Sequence, residues 1–288
     1  MKGYIFYAAE DAAKNGRFIE LCTQAAHRRG AALELVIAER LTWQTQDGTW
    51  NCTYHPTPGA PPVTLERPDF AIMRTRDPAL SRRIEAAGVR AFNSSSVCAM
   101  ANDKRRTYAA LSGTVPMLPT WHLPRDIAAL APPQDYPLVV KPALGHGGQG
   151  VTLVQNPAEL HALLASGACP NPIVQPLCSE PGRDLRVYVL GGEVLCAMLR
   201  TAQAPQEFRS NFSLGGSASV HQLSASEQAL VSRVLSHDRF DLAGIDLIYH
   251  NGASVLNEIE DVVGCRMLYE YTSLDVADLY VAHILENI

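Results

Sequence analysis

Apolar and polar positions along the chain switch between two periods. Tyr4 to Tyr7 is a short apolar run, Phe18, Leu21, Cys22 and Ala25 recur at helical spacing within Asn15 to Arg29, and Leu33 to Ile37 is apolar again after Gly30. That order predicts a strand, a helix stopped by glycine and a second strand, a βαβ opening. Trp43 and Trp50 flank Gln46-Asp47-Gly48 within Leu41 to Tyr54, a hairpin signal, and the prolines from Pro56 to Pro62 predict a loop. Phe70 to Met73 predicts a buried strand ending at Arg74-Thr75-Arg76, followed by a helix over Pro78 to Ala87, a stop at Gly88 and a strand over Val89 to Phe92. Strands alternating with helices predict a parallel sheet.

Further along, Asn93 to Ser96 reads as a cap region leading into Val97 to Asn102, and Asp103 caps a helix carrying Lys104 to Leu111. Extended segments follow at Val115 to Trp121 and into Lys141, then a strand at Val151 to Val154, a helix over Pro157 to Ala165 and a strand at Ile173 to Gln175. Asp184 to Leu190 and Glu193 to Arg200 predict a hairpin about Gly191-Gly192, and Ile245 to Tyr249 with Ser254 to Glu260 predict another about Asn251-Gly252.

Composition narrows the class. At 288 residues, 47% hydrophobic and 18% charged, the chain reads as an ordinary globular protein with room for two or three domains. A formal net charge of -5 and no basic run argue against a nucleic-acid or anionic-membrane partner. Seven cysteines without a Cys-x-x-Cys pair predict free thiols and no structural zinc. The apolar run Tyr4 to Ala9 closes at Glu10 and Asp11 and no apolar run reaches membrane length, so a cytoplasmic location is expected.

Two segments carry candidate chemistry. Of 24 basic residues only Lys2, Lys14, Lys104 and Lys141 are lysines, and Lys141 leads directly into the densest glycine cluster, Gly145, Gly147, Gly148 and Gly150. Such a loop either turns a hairpin or brings backbone N–H groups to a polyphosphate beside the lysine's point charge. His146 and Gln149 within it have no assigned role. In the second segment Glu258 and Glu260 share a strand face, and Asp246 joins them only if the turn has an odd number of residues; a connection over Asn251 to Ala253 is expected for that reason. Three carboxylates so placed repel by several kcal/mol, at about 4 kcal/mol per pair in contact. They are either solvated or neutralised by a divalent cation, for which magnesium is the expected choice. Arg74 and Arg76, at a strand's carboxyl end, could clamp a substrate carboxylate or pair with Asp69 or Asp77.

From about Asn93 onward these segments, in this order, resemble the ATP-grasp superfamily, most closely the RimK-like carboxylate-amine ligases. Asn102-Asp103-Lys104 resembles the first phosphate lysine, Lys141-Pro142 with Gly145 to Gly150 the second lysine and lid, and Val174-Gln175 the strand beside adenine. Asp184 to Val187 and Phe208-Arg209-Ser210-Asn211 resemble segments touching nucleotide and transferred phosphate. Asp246 with Glu258-Ile259-Glu260 resembles the metal strands, although Glu260 stands where the family usually has asparagine, and needs cations or a partner such as Arg209 or Arg266.

The resemblance implies an α/β fold, α+β in its ATP-grasp part. A parallel-sheet amino domain (1–94) would precede a central lobe with the lid (95–173) and a carboxyl-terminal lobe with the metal site (174–288). It implies ATP with one or two magnesium ions, manganese as an alternative, and ligation of a carboxylate to an amine through an acyl phosphate. Lys104, Lys141, Gly145, Gly147, Gly148, Gly150, Gln175, Asp184, Arg209, Ser210 and Asn211 would hold nucleotide, and Asp246, Glu258 and Glu260 the metal. Lys141, Arg209 and Asn211 would stabilise developing charge, and Arg74 and Arg200 are substrate candidates. Kinase chemistry or nucleotide binding without turnover stay open, as does self-association.

Overall fold

The computed structural model describes residues 1–44, 48–57, 59–123, 136–204, 207–209 and 216–288. The chain opens with β1 (Lys2–Tyr7), α1 (Ala9–Lys14), α2 (Gly16–Arg28) and β2 (Ala32–Ile37); β3 (Leu41–Trp43), β4 (Cys52–Tyr54) and β5 (Val63–Leu65) follow, then β6 (Phe70–Arg74), α3 (Pro78–Ala86) and β7 (Arg90–Phe92). Four of these strands form a parallel sheet in the order β2-β1-β6-β7, as the alternating pattern predicted. Tyr4, Ile5, Phe6 and Tyr7 are all fully buried because helices or the small sheet cover both faces. Asp77 accepts from the backbone N–H groups of Ala79 and Leu80, and Pro78 occupies the first turn, so α3 begins where the sequence placed it. The separate helix α1 had no counterpart in the sequence pattern.

The sheet β3-β4-β5 is antiparallel, with Trp43 opposite Cys52, so the expected hairpin forms; Gln46 and Asp47 lie outside the described residues. Trp50 donates its indole N–H to the Leu65 carbonyl at 2.8 Å and stacks on Tyr4, which seats this sheet on the parallel one.

Next come α4 (Ser95–Ala101), α5 (Lys104–Leu111), β8 (Trp121–His122), β9 (Leu138–Pro142), β10 (Thr152–Val154), α6 (Pro157–Ala165) and β11 (Pro172–Pro176). Here the strands form an antiparallel sheet in the order β10-β9-β11-β8. The remainder is β12 (Arg183–Leu190), β13 (Glu193–Thr201), β14 (Ser217–Val220), α7 (Ala225–Leu235), β15 (Leu242–His250), β16 (Ala253–Glu260), α8 (Arg266–Tyr271) and α9 (Val276–Glu286). Its antiparallel sheet runs β14-β13-β12-β15-β16.

The cores cross the expected boundaries. Ile5, Tyr7 and Phe18 share one cluster with Tyr188, Met198 and, from α9, Tyr280, Val281 and Ile284. Val97 and Leu111 of α4 and α5 pack with Leu185, Val187 and Leu256 of the five-stranded sheet, and β11 itself runs across 173/174. The amino-terminal unit and the last lobe are therefore held as neighbours by buried apolar surface, and the cleft between the sheets has fixed walls on those sides.

One buried acid ties α7 to the β15–β16 hairpin. Glu227 accepts from the Ser224 N–H at 2.8 Å in a capping box and from the hydroxyls of Tyr249 (3.3 Å) and Ser254 (3.2 Å). Burial works to raise its carboxyl, but His221 and Ser224 outweigh that and hold it at about 2. Glu227→Ala is expected to cost about 2–4 kcal/mol in urea unfolding, since it strands two hydroxyls and breaks the cap, with Glu227→Gln losing less. A loss under about 1 kcal/mol for the alanine variant would contradict this role.

Candidate active site

A cleft with a cavity volume of about 300 Å³ lies between the glycine loop, the end of β11 and the faces of β12, β15 and β16. Lys104, Lys141, Gly145, Gly147, Gly148, Gln175, Asp184, Arg209, Asp246, Glu258 and Glu260 all line it, with Arg74 and Arg200. Gly150 does not reach the lining, and Ser210 and Asn211 lie outside the described residues. Residues named from distant parts of the sequence thus converge on one surface.

The lysines arrive from different elements. Asp103 caps α5 by accepting from the Arg105 N–H, which fixes Lys104 in the first turn, and the Lys104 ammonium donates to the Gly145 carbonyl at 2.5 Å and lies 3.3 Å from Glu258. Lys141, in β9, donates to the Asn257 side-chain oxygen at 2.8 Å. Burial lowers the Lys141 ammonium to about 8; Lys104 adds to the fall and Glu258 opposes it. Two ammoniums so close, one of them partly stripped of water, form a place for a polyanion.

The acidic hairpin corrects one expectation while keeping its outcome. His250 pairs with Ala253, so the connection is the two-residue Asn251-Gly252 turn, with φ 51° and 78°, and not the three-residue turn expected. Even so, Asp246 lies opposite Glu258, because the register shifts between Asp246 and Leu247 and leaves Asn257 as an extra residue on β16. That β-bulge restores the shared face of Asp246, Glu258 and Glu260 and also brings Asn257 to the cleft. Strict alternation had put Asn257 on the other face, so its contact with Lys141 was not foreseen.

Two of the three carboxylates, Asp246 and Glu260, are paired with arginines from within the protein. Asp246 faces Arg186 across β12 and β15, in a bidentate pair at 2.7 and 2.6 Å, and also accepts from Arg200 at 2.9 Å. Arg200, opposite Asp184 on β13, holds that acid in a second bidentate pair at 2.6 Å. Arg186 also reaches Glu260 at 2.8 Å, so Glu260's partner is Arg186, whereas Arg209 pairs with Glu207. Burial would raise the Asp246 carboxyl, but Arg186 and Arg200 prevail and hold it at about 2. Repulsion between Asp246 and Glu260 therefore does not by itself demand a metal: guanidinium groups supply the charge there. Alternating charged residues within an apolar strand, Asp184-Leu185-Arg186-Val187, were the signal for this network.

Glu258 differs. Burial drives its carboxyl above the ordinary range, Glu260 and Asp246 add to that, and Lys104 and Lys141 do not fully compensate. Among the described residues no group of three His, Cys, Asp or Glu side chains is arranged to hold a metal ion. Glu258 and Glu260 are the carboxylates that could hold a hard divalent cation, with phosphate and water completing the shell, Glu260 while sharing Arg186 with Asp246. Asp246 is committed to its arginines.

The loop is a series of tight turns, Gly145 N–H to Pro142, Gln149 to His146 and Val151 to Gly148, with positive φ at Gly147, Gly148 and Gly150. Arg74 is buried, donates to the Val263 carbonyl at 2.6 Å and lies over the Phe18 ring, while Arg76 pairs with Asp11 at 2.9 Å; neither uses Asp69 or Asp77. Gln175 donates to Tyr108 and Thr120, and its buried side-chain carbonyl has no partner among the described residues.

Residues 115–284 match the model of the RimK-like ATP-grasp domain. A probable alpha-L-glutamate ligase 2 of Shewanella frigidimarina is 34% identical over 216 residues, 73% of this chain and 72% of that protein. Among solved structures, D-alanine--D-alanine ligase of Bacillus anthracis complexed with ATP superposes at a TM-score of 0.70 and 14% identity, covering 99% of this chain and 96% of that one. The ATP-grasp ligase PsnB, complexed with a precursor variant, Mg and ADP, gives 0.67 at 15% identity, covering 99% and 97%. These two structural likenesses establish the shared fold.

Arg186→Gln tests the charge account. It is expected to cost about 3–5 kcal/mol, the usual penalty for leaving a buried carboxylate without its partner. Millimolar magnesium is expected to raise the variant's melting temperature more than the parent's. A loss under about 1 kcal/mol with equal magnesium responses would contradict it.

Proposed function

The chain belongs to the RimK-like ATP-grasp family, and on that footing we propose that it is an ATP- and magnesium-dependent ligase that joins a carboxylate to an amine, releasing ADP and phosphate. The observation that carries this reading is the convergence of Lys104 and Lys141 on Glu258 and Asn257 beneath the glycine loop. A site for phosphoryl transfer must chiefly position and neutralise charge, and that is what these residues offer.

In this reading Lys104 and Lys141 hold the polyphosphate, and the unpartnered carbonyl of Gln175 accepts from the base. Magnesium, when bound, adds positive charge at the phosphate oxygens and is held by Glu258 and Glu260. A substrate carboxylate oxygen attacks the γ-phosphorus as the bond to the ADP oxygen breaks, giving an acyl phosphate. The amine nitrogen then attacks the acyl carbon, phosphate leaves with its electron pair, and the nitrogen loses a proton. Arg209, and by resemblance Ser210 and Asn211, stabilise the oxygens that gain charge. The loop from Gly145 to Gly150 shields the acyl phosphate from water.

The test is a screen of amino acids and short peptides with Mg-ATP, reading free phosphate. Release that depends on both an acid and an amine is expected, and phosphate retained on a hydroxyl acceptor would overturn the reading in favour of a kinase. Lys141→Ala is expected to lower kcat/KM for ATP by about a hundredfold or more. Because a lysine lowered to about 8 is charged below that pH and neutral above it, kcat/KM for ATP is expected to fall as pH rises through about 8. An unchanged profile between the parent and Lys141→Ala would remove Lys141 from phosphate binding.

A further inference from the structure

Asn257 reaches the cleft only because of the β-bulge in β16. Regular alternation along the strand would set it on the face away from Glu258 and Glu260. The extra residue interrupts the ladder with β15 at this point, and a bulge beside a site re-aims a side chain at the expense of a regular pair. The side chain so aimed is an uncharged one, among lysines and carboxylates.

The two lysines it joins are held in different ways. Lys104 donates to the Gly145 carbonyl and lies 3.3 Å from Glu258, so part of its charge is matched within the protein. Lys141 has a single side-chain hydrogen bond among the described residues, at 2.8 Å to the Asn257 oxygen, and no carboxylate there forms an ion pair with it. A neutral acceptor fixes the direction of an ammonium without neutralising it, and leaves two of its three donors available. The bond also crosses between two sheets, from β16 to β9.

This contact decides which way the Asn257 amide points. An ammonium can only donate, so the side-chain oxygen faces Lys141 and the NH2 group is turned from it. Among the described residues that NH2 group has no hydrogen-bond acceptor, and it belongs to a side chain that lines the cleft. A directed donor therefore stands next to an ammonium whose charge is not matched by a bonded acid, and an anion with several oxygens can use both.

We propose that Asn257 is a polyphosphate-binding residue: its oxygen anchors Lys141, and its NH2 group donates to the phosphate chain that Lys141 engages. Lysine and amide act as one clamp, a point charge beside an oriented donor. Asn257→Asp keeps an acceptor for Lys141 but puts negative charge where the donor was, and Asn257→Leu removes anchor and donor together. The assignment rests on the reading of the cleft as a nucleotide site.

The probes are the β,γ-imido analogue of ATP, with magnesium, and AMP, which lacks the β- and γ-phosphates. Calorimetry gives the affinity of the parent and of both variants for the analogue, and competition against it gives that for AMP. Both variants are expected to lose about tenfold or more in affinity for the analogue relative to AMP, the loss usual for one hydrogen bond to a charged group. A relative loss under about twofold in Asn257→Leu overturns the assignment. So does an equal loss for both nucleotides, which a distorted strand would give. A loss confined to Asn257→Asp overturns it as well, because repulsion alone would then account for the effect. In these three cases the parent still binds the analogue, and the nucleotide reading stands. If the parent does not bind the analogue, that reading falls and the role of Asn257 falls with it.

Discussion

The site depends on a chain of ion pairs across four strands. Antiparallel register sets Asp184 opposite Arg200 and Arg186 opposite Asp246, and Arg200 and Arg186 then reach Asp246 and Glu260 respectively. Such pairs contribute little net stability, because desolvation offsets most of the attraction. Their effect is positional. Each guanidinium is held at two or more points, so the carboxylates keep one geometry, and the β-bulge at Asn257 delivers Glu258 to the same face without unpaired charge beside it.

That arrangement divides the acids by duty. Asp246 is over-compensated and held down, whereas Glu258 is under-compensated and pushed up, although both sit on one hairpin face. In the function proposed, a cation would gain most beside Glu258, the acid that its neighbours leave under-compensated. The same contrast explains why a carboxylate count alone is a poor guide to metal sites: the surrounding donors decide which acids are still available.

Much of the fold was legible because local signals agreed with the global one. Asp77-Pro78, Asp103 and Asn156-Pro157 start helices where they stand, and the buried runs of β1 and β6 read as parallel-sheet strands. The lysines, the glycine loop and the acids were legible as well, since each stands out locally. What was not legible depends on register or on contacts between distant segments. A bulge adds one residue and reverses the face of all that follows, so alternation misplaced the odd residue at the turn and missed Asn257. Arg186 finds Asp246 sixty positions away. The shared core of α9 with the amino-terminal sheet likewise leaves no local mark at residue 94.

The most direct test of the central claim follows oxygen atoms. With a substrate acid labelled with ¹⁸O in its carboxylate, together with Mg-ATP and the amine, the acyl-phosphate route carries one labelled oxygen into each phosphate released. One ¹⁸O per phosphate is the expected result. Phosphate free of label, formed while the amide product accumulates, would contradict the account.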